Sequence, residues 1–255
     1  MSNPFDLGGR VAIVTGGNGG IGLGMATGLA RAGAALIVAG RNADKNAAAV
    51  KSLQALGAKA AAIEADVTQQ SACRALVDAA LSQFGRLDIL VNNAGINIRK
   101  QPQDYTLEEW RLVMDTNLTS AFLCSQAAYP AMLKAGGGKM INIGSMMSIF
   151  GAWFAGPYGA SKGGIVQLTK SLACAWAKDR IQVNAVLPGW VDTDLTRTAR
   201  KAVAGLNERV LEGTPAGRWG DPADFAGITV FLASSASDFI TGTAIPVDGG
   251  YSTLG

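Results

Sequence analysis

The chain has 255 residues, of which 49% are hydrophobic and 16% charged, so its composition is that of a globular protein and excludes a disordered one. The net charge of +3, without a long run of Lys or Arg, provides no basic stripe for a phosphate backbone, and we expect no nucleic-acid partner. No uncharged apolar stretch approaches the roughly 20 residues that cross a bilayer, and the first residues, MSNPFDLGGR, contain no signal-peptide core. We therefore expect a cytoplasmic protein with no membrane partner.

Metal chemistry is not expected either. The sequence contains no histidine, and Cys73, Cys124 and Cys174 lie too far apart for a zinc-ligand spacing, so we predict no metal site. These cysteines are expected to be reduced and buried. If the protein moves protons near neutral pH, a side chain other than imidazole must carry them.

Short apolar runs alternate with longer segments rich in Ala, Leu and Lys along the whole chain. The runs predict seven strands, at Val11–Thr15, Ala35–Ala39, Ala60–Glu64, Asp88–Val91, Lys139–Ile143, Gln182–Val186 and Ala244–Val247. Because near-continuous apolar strands separated by helices are typical of a parallel sheet, we predict an α/β fold. Residues 1–255 would form a single domain, a doubly wound (Rossmann) seven-stranded parallel sheet with helices on both faces.

Two later segments have distinct local patterns. Asp221 followed by Pro222 is typical of a helix start and predicts a helix towards Ala233. Residues 192–214 are polar, include Arg197 and Arg200, and lack strand character. We predict that this segment is a helical excursion that could form a substrate lid.

A glycine-rich turn, TGGNGGIG from Thr15 to Gly22, follows the first strand directly. A strand, such a turn and a helix N-terminus together place backbone N–H groups where a pyrophosphate can approach. Glycines recur at 20, 24 and 28, which predicts a smooth helix face that lies tight against the sheet. Glycine turns also occur without ligands, but this position favours nucleotide binding.

The spacing Thr-Gly-x3-Gly-x-Gly resembles the cofactor loop of the short-chain dehydrogenase/reductase family. Further motifs of that family follow in order: Asp66–Val67, the stretch NNAG at 92–95, and Pro188–Gly189. The resemblance extends from Leu7 to the VDGG stretch at 247–250 and implies a nicotinamide dinucleotide cofactor. The predicted cofactor contacts are Gly16, Asn18, Gly20, Ile21, Gly22, Arg41, Asp66, Val67, Asn93, Ala94, Gly95, Tyr158, Lys162, Pro188, Gly189, Val191 and Thr193.

The end of the second strand bears on the choice between NAD and NADP. An acidic residue usually bonds the ribose hydroxyls of NAD there, whereas this chain has Gly40 followed by Arg41. Arg41 could pair with the 2′-phosphate of NADP, or it could be a solvated charge ahead of a helix. NADP-dependent members often carry a basic residue inside the glycine loop, where this chain has Gly19. We predict that NADP is favoured, with NAD as the alternative.

Tyr158 and Lys162, in the stretch YGASK, are four residues apart and would share one face of a helix. A free tyrosine titrates near pH ~10. We expect the lysine ammonium and an oxidised nicotinamide to lower the pKa of Tyr158, which could then act as the acid/base catalyst without histidine. Ser145, expected at the end of the fifth strand, could bond the substrate oxygen. Asn117, Ser145, Tyr158 and Lys162 match the family's catalytic tetrad, and the resemblance implies that Asn117 anchors a water linked to the lysine.

The predicted substrate-binding residues surround this tetrad. They are Ser145, Met147, Trp153, Tyr158, Trp190 and Arg99. Arg99 and Lys100 form a basic pair that could receive a carboxylate or could be solvated loop charges. The stretches NNAGINIRK, GGKMINIGSMMS and TPAGRWGDPADFAGITVFLASSASDFITG resemble the sugar-acid branch of the family, the gluconate 5-dehydrogenases and 2-deoxygluconate 3-dehydrogenases. We predict NAD(P)-dependent interconversion of a secondary alcohol and a ketone on a sugar acid such as gluconate.

Other functions stay open. A 3-oxoacyl-[acyl-carrier-protein] reductase would need a basic patch for its carrier, and a polyol or secondary-alcohol dehydrogenase would suit the apolar Met146, Met147 and Trp153. A non-catalytic nucleotide-binding regulator would not need the intact tetrad. The resemblance also implies a homo-oligomer, a dimer or tetramer, joined through the helix that carries Tyr158. The apolar stretch Ile165–Trp176 would suit such a face or the core.

Overall fold

Seven parallel strands form one sheet in the order β3-β2-β1-β4-β5-β6-β7. The computed structural model describes residues 3–254; Met1 and Ser2 of the MSNPFDLGGR segment, Gly255 and the Ala202 side chain lie outside the described residues. The strands are β1 (Val11–Thr15), β2 (Ala35–Gly40), β3 (Ala60–Glu64), β4 (Ile89–Asn92), β5 (Gly138–Ile143), β6 (Ile181–Pro188) and β7 (Ala244–Val247). The predicted parallel sheet is confirmed.

The central strands are mostly apolar because both of their faces are covered. Every residue of β1 is buried, and Val14 pairs with Val38 on one side and Val91 on the other. Val14 packs into the core on one face of the sheet, while Ile13 packs into the core on the other. This arrangement removes the alternation of apolar and polar residues that a one-sided sheet would show.

Helices connect the strands and form the two outer layers. They are α1 (Gly20–Arg31), α2 (Ala43–Gln54), α3 (Gln70–Phe84), α4 (Leu107–Met114), α5 (Ser120–Lys134), α6 (Gly156–Trp176), α7 (Asp194–Ala202), α8 (Leu206–Glu212) and α9 (Phe225–Ala233). Local chemistry sets several of their ends. The Asn42 side chain caps α2 by accepting from the Lys45 N–H, and α3 ends at Gly85 in the left-handed conformation.

Three local predictions need correction. Asp221 does cap a helical start, but it caps a 3₁₀ turn, Pro222–Asp224, which precedes α9. The glycine face of α1 packs against this C-terminal region and not against the sheet, since a Cβ on Gly24 would lie 2.0 Å from the Pro222 carbonyl oxygen. Cys73 and Cys124 are buried, whereas Cys174 is exposed because it lies on the side of α6 away from the core.

The described residues, 3–254, contain neither a membrane-spanning helix nor a metal-binding cluster. None of the helices in this range is long and apolar enough to cross a membrane. Within the same range, no group of three or more His, Cys, Asp or Glu side chains is placed to hold a metal ion.

Candidate active site

The carboxyl ends of the strands open into a cleft of about 520 Å³ at the point where the order of the sheet reverses, between β1 and β4. Open α/β sheets bind their ligands at such a crevice. Every residue predicted to contact the cofactor lines this cleft except Gly22, which lies behind the glycine turn. The structure therefore gathers these predicted residues from six separate stretches of the sequence into one site.

The glycine turn can hold an anion such as pyrophosphate. Gly16 and Gly20 have positive φ angles of 62° and 49°, a conformation that other residues rarely adopt. A Cβ on Gly22 would lie 2.4 Å from both the Asn93 amide nitrogen and the Gly16 carbonyl oxygen, so the turn packs directly on the β4 loop. The first turn of α1 has no side-chain cap and no acidic residue. Its free N–H groups and the positive end of the helix dipole fit a dinucleotide phosphate.

Thr15 and Asn93 join the glycine turn to the loop after β4. The Thr15 hydroxyl accepts from the backbone N–H groups of Asn93 at 3.0 Å and Ala94 at 3.1 Å. The Asn93 side chain donates to the carbonyl groups of Thr15 and Gly16. These hydrogen bonds fix the loop after β4, which lines the cleft, against the glycine turn.

The end of β2 has no space for a side chain at position 40. A Cβ on Gly40 would lie 2.2 Å from the Asn18 amide nitrogen, which donates to Asn46 Oδ1 at 2.7 Å. A carboxylate at this position would have to displace that pair. Two cations, Arg41 and Lys45, line the same end of the cleft instead. This end of the cleft therefore carries two positive side chains, one of which, Lys45, is paired with Asp194.

Lys162 is buried beneath the cleft. It is 4% exposed, and its ammonium donates to the Ile143 carbonyl at the end of β5, at 2.7 Å. Burial lowers the pKa of Lys162 to about 8. The group can therefore lose or regain a proton close to neutral pH.

Tyr158 lies one helical turn before Lys162, with the ammonium 5.6 Å from the centre of its ring. The residue is half-buried, and desolvation of the phenolate raises the pKa of Tyr158; the Ser145 hydroxyl and the Arg99 charge oppose this rise. In the protein alone the Lys162 ammonium is directed to the Ile143 carbonyl, and the lowering expected from Lys162 together with an oxidised nicotinamide stays a prediction. A net lowering has to come from positive charge on the bound nucleotide.

Ser145 lies two residues beyond the end of β5 and caps a 3₁₀ turn, Met146–Ser148. Its hydroxyl accepts from the Met147 N–H at 3.1 Å and lines the cleft. The Ser148 hydroxyl accepts from the Ser145 N–H and donates to the Lys162 carbonyl at 2.7 Å. The turn that presents Ser145 is thus fastened to the helix that carries Tyr158 and Lys162.

Asn117 lies in a short π-helical turn, Asp115–Thr119, between α4 and α5. Its side-chain oxygen accepts from the Ile96 N–H at 2.8 Å, and its amide donates to the Ile96 carbonyl and to the Ser161 hydroxyl, both at 3.0 Å. Ser161 in turn donates to the Tyr158 carbonyl at 2.7 Å. Asn117 therefore links the loop after β4 to the catalytic helix, and the water predicted beside it stays a prediction.

Comparisons with known proteins agree with this geometry. Residues 16–252 match the family described as enoyl-(acyl carrier protein) reductase. The chain is 43% identical over 248 residues, 97% of both chains, to 2-dehydro-3-deoxy-D-gluconate 5-dehydrogenase of Escherichia coli. It matches the crystal structure of a short-chain type dehydrogenase/reductase from Mycobacterium marinum with a TM-score of 0.93 and 37% identity, covering 98% of each chain. This protein belongs to the short-chain dehydrogenase/reductase family. A gluconate 5-dehydrogenase from Burkholderia cenocepacia, crystallised with NADP and tartrate, has a TM-score of 0.93 and 39% identity, covering 99% of this chain and 98% of that one.

Arg99 does not line the cleft, but its positive charge acts to lower the pKa of Tyr158. Arg99 is half-buried, and desolvation lowers the pKa of its own guanidinium. The other cations considered as substrate partners already have carboxylate partners: Lys100 pairs with Glu109, and Arg197 and Arg200 both pair with Asp192. Arg99 makes no ion pair within the described residues.

The predicted apolar contacts, Met147, Trp153 and Trp190, do not line this cleft. Trp153 is 68% exposed and packs edge-on against Phe154, with ring centres 5.2 Å apart. Trp190 packs against Trp219 and lines a separate cavity of about 180 Å³. Met147 lies beside Ser145 through the bond described above. Their role toward a substrate stays a prediction.

The dehydrogenase's segment 192–214 forms α7 and α8, as the helical prediction required. The start of this segment, at Thr193, Asp194, Leu195 and Thr196, lines the cleft. Asp194 also pairs with Lys45 across the cleft mouth, at 3.2 Å. Sequence reasoning missed Lys45 and Ser161, although each had a signal: Lys45 lies one helical turn after Arg41, and Ser161 lies inside YGASK.

Proposed function

We propose that this protein is an NADP-preferring dehydrogenase that interconverts a secondary alcohol and a ketone on a sugar acid such as gluconate. The observation that carries the proposal is Arg99, a desolvated cation beside the phenol of Tyr158 without a carboxylate partner in the described residues. An anionic group on the substrate would supply that partner. The relatives named for gluconate and dehydrodeoxygluconate, and the neighbour crystallised with NADP and tartrate, support this substrate class.

The reaction divides between cofactor and protein. A bound nicotinamide dinucleotide supplies or accepts the hydride. Tyr158 gives a proton to the substrate oxygen, or takes one from it, and the Ser145 hydroxyl holds that oxygen. Lys162, with a pKa of about 8, supplies the nearby positive charge and can exchange a proton in the working range. Asn117 holds the loop after β4 in register with Tyr158 through Ser161.

The preference for NADP rests on the end of β2. Position 40 leaves no space for the carboxylate that would bond the ribose hydroxyls of NAD, because Asn18 occupies that volume. Arg41 and Lys45 line the cleft there and can meet a 2′-phosphate. NADP therefore gains charge pairing that NAD cannot make, and NAD remains the alternative cofactor.

A single substitution tests the substrate class. Replacing Arg99 with Met should raise the KM for D-gluconate by about 10- to 100-fold, since a charge-assisted hydrogen bond contributes about 1.5–3 kcal/mol. Oxidation of a neutral polyol should change little. Arg111→Met, at an exposed position on α4, is the matched control, and Tyr158→Phe should abolish turnover of both. An equal loss on gluconate and polyol would contradict the role of Arg99, and turnover of a 3-oxoacyl thioester alone would favour the reductase alternative.

A second pair of variants tests the cofactor preference. Arg41→Ala and Lys45→Ala should each raise the KM for NADP by about 10-fold or more and leave the KM for NAD nearly unchanged. Lys51→Ala, at an exposed position later in α2, is the control. Equal effects on the two nucleotides would contradict a 2′-phosphate site at this end.

We also propose that residues 1–255 act as one catalytic domain and that segment 192–214 closes over the substrate. The protein would work as a homo-oligomer. It would work in the cytoplasm, where nicotinamide dinucleotides are available. Exposed apolar side chains on α4 and α5, Leu112 at 47% and Phe122 at 42%, support assembly. The stretch Ile165–Trp176 contributes Ile165, Leu172 and Ala173 to the core, so it is at most partly a contact face. Light scattering would give the mass, and hydrogen exchange with and without NADP would test closure of the lid.

A further inference from the structure

Two buried cysteines face each other beneath the nucleotide cleft. Cys73 lies in the first turn of α3 and Cys124 in α5, and they are 1% and 3% exposed. Their sulfur atoms are 3.3 Å apart, with the Cys124 thiol donating to the Cys73 sulfur. A disulfide needs a separation of about 2.05 Å, so the sulfurs would have to approach by only about 1.2 Å.

The same pair is connected to the wall of the cleft. The Cys73 thiol donates to the Val67 carbonyl at 3.3 Å. Val67 and Asp66 both line the cleft, in the turn that follows β3. A chain of two hydrogen bonds therefore runs from α5 through Cys73 to the turn that bounds the proposed nucleotide site.

We propose that Cys73 and Cys124 form a reversible disulfide when the protein meets a peroxide, and that this bond weakens nucleotide binding at the Asp66–Val67 wall. This inference rests on the proposed nucleotide site. The third cysteine, Cys174, is exposed on α6 and has no cysteine beside it, so it can be oxidised but cannot complete an internal disulfide.

The chemistry balances with hydrogen peroxide as the oxidant. The Cys73 thiolate attacks the O–O bond, becomes a sulfenic acid and releases one water; the Cys124 sulfur then displaces the sulfenic hydroxyl, the S–S bond forms and a second water leaves. Two thiols lose two electrons and two protons, and the peroxide becomes two waters. The hydrogen bond from Cys124 lowers the pKa of Cys73 and raises that of Cys124, which assigns the attacking role to Cys73.

Oxidation would change the cleft wall in two ways. The Cys73 S–H would be lost, so the Val67 carbonyl would lose this donor. The shorter S–S distance would also draw the first turn of α3 towards α5 and away from the cleft. Because coupling between two equilibria is reciprocal, bound nucleotide should in turn shift the thiol–disulfide equilibrium towards the two thiols.

The test uses the full chain with Cys174→Ser, which removes disulfides between chains. NADPH binding to the reduced protein is measured first, by nucleotide fluorescence; absence of binding at this step overturns the proposed nucleotide site itself. Hydrogen peroxide is then added, and the protein is digested without reductant. We expect a linked peptide pair that contains residues 73 and 124, an increase in the NADPH Kd of at least about 5-fold, and reversal of both by dithiothreitol.

Each result tests a separate part of the proposal. If both thiols stay free under peroxide that oxidises Cys174 in the unmodified chain, the disulfide is refuted. If the linked peptide forms while the Kd is unchanged, the coupling to the cleft is refuted. Cys73→Ala in the same background, which removes the attacking thiol, is the control: peroxide should leave its Kd unchanged, and an equal loss there would assign the effect to another oxidised side chain.

Discussion

Lys162 holds a buried positive charge that should lower the stability of the folded protein near neutral pH. The residue is 4% exposed, and burial lowers its pKa from an ordinary value of 10.5 to about 8. A pKa difference of about 2.5 corresponds to about 3 kcal/mol, at ~1.36 kcal/mol for each pKa unit. Because the unfolded chain binds this proton more tightly, the cost is full below pH 8 and is relieved between about pH 8 and 10.5.

Replacing Lys162 with Met keeps an unbranched side chain and removes the charge. The variant loses the hydrogen bond to the Ile143 carbonyl, worth about 1 kcal/mol. We therefore expect the variant to be more stable than the wild type by about 2 kcal/mol at pH 7, with the gain shrinking to near zero at pH 10. The same variant should lose turnover, so the charge is kept for catalysis at the expense of stability.

Urea unfolding at pH 7 and pH 10, at one protein concentration and with matching m-values, would measure this difference. Lys170→Met, at an exposed position on the same helix, is the control and should change stability little at either pH. The reasoning is refuted if Lys162→Met is no more stable than the wild type at pH 7, or if its advantage persists unchanged at pH 10.

Three further predictions follow from single contacts. Gly28→Ala should destabilise the protein by about 1–3 kcal/mol, because its Cβ would lie 2.8 Å from Ala226. Gly227→Ala should instead stabilise it by up to about 1 kcal/mol, because a Cβ at this position in α9 meets open space. Equal denaturant midpoints for the two variants and the wild type would contradict both predictions. Tyr105→Phe removes a hydroxyl that donates to the Ile98 carbonyl at 2.6 Å beside Arg99, so steady-state kinetics should show a higher KM for gluconate and an unchanged KM for NADP. Ser161→Ala breaks the link between Asn117 and Tyr158, so it should lower kcat more than it raises KM and should shift the pH profile of kcat. Ser161→Thr should partly restore both. An unchanged pH profile of kcat would show that Ser161 is merely structural.

The sheet could be predicted from the sequence because parallel strands buried on both faces leave a local pattern of continuous apolar residues. The bounds of β1, β3 and β7 agree with the prediction, and β4 differs by one residue at each end. The partner of the α1 glycine face could not be predicted, since Pro222 and Ala226 lie about 200 residues later in the chain. Exposure of Cys174 depends on which side of α6 faces the sheet, which the apolar run at residues 172–176 does not reveal.

The proposed catalytic residues could be selected from the sequence because Tyr158 and Lys162 share the stretch YGASK and Ser145 follows the fifth strand, and their roles stay predictions. The charge environment of Tyr158 and Lys162 could not be predicted from the sequence. The rise in the pKa of Tyr158 depends on desolvation, and the direction of the Lys162 ammonium depends on a backbone carbonyl that sequence spacing does not indicate. The choice of Arg99 over Arg197 and Arg200 required the contacts of all three, since two of them are held by Asp192.

The contact between the α1 glycine face and the C-terminal region has a consequence for how the chain folds. Gly24 and Gly28 rest on Pro222 and Ala226, so the helix that begins at the glycine turn keeps a bare backbone surface until almost the whole chain has been synthesised. One edge of β1 likewise stays unpaired until β4, some 75 residues later, has been synthesised. Such distant pairings slow folding and leave open edges in partly made chains. The first half of the chain should therefore not behave as an independent nucleotide-binding unit, and removal of the last 35 or so residues should expose the back of the glycine turn along with the helix that supports it.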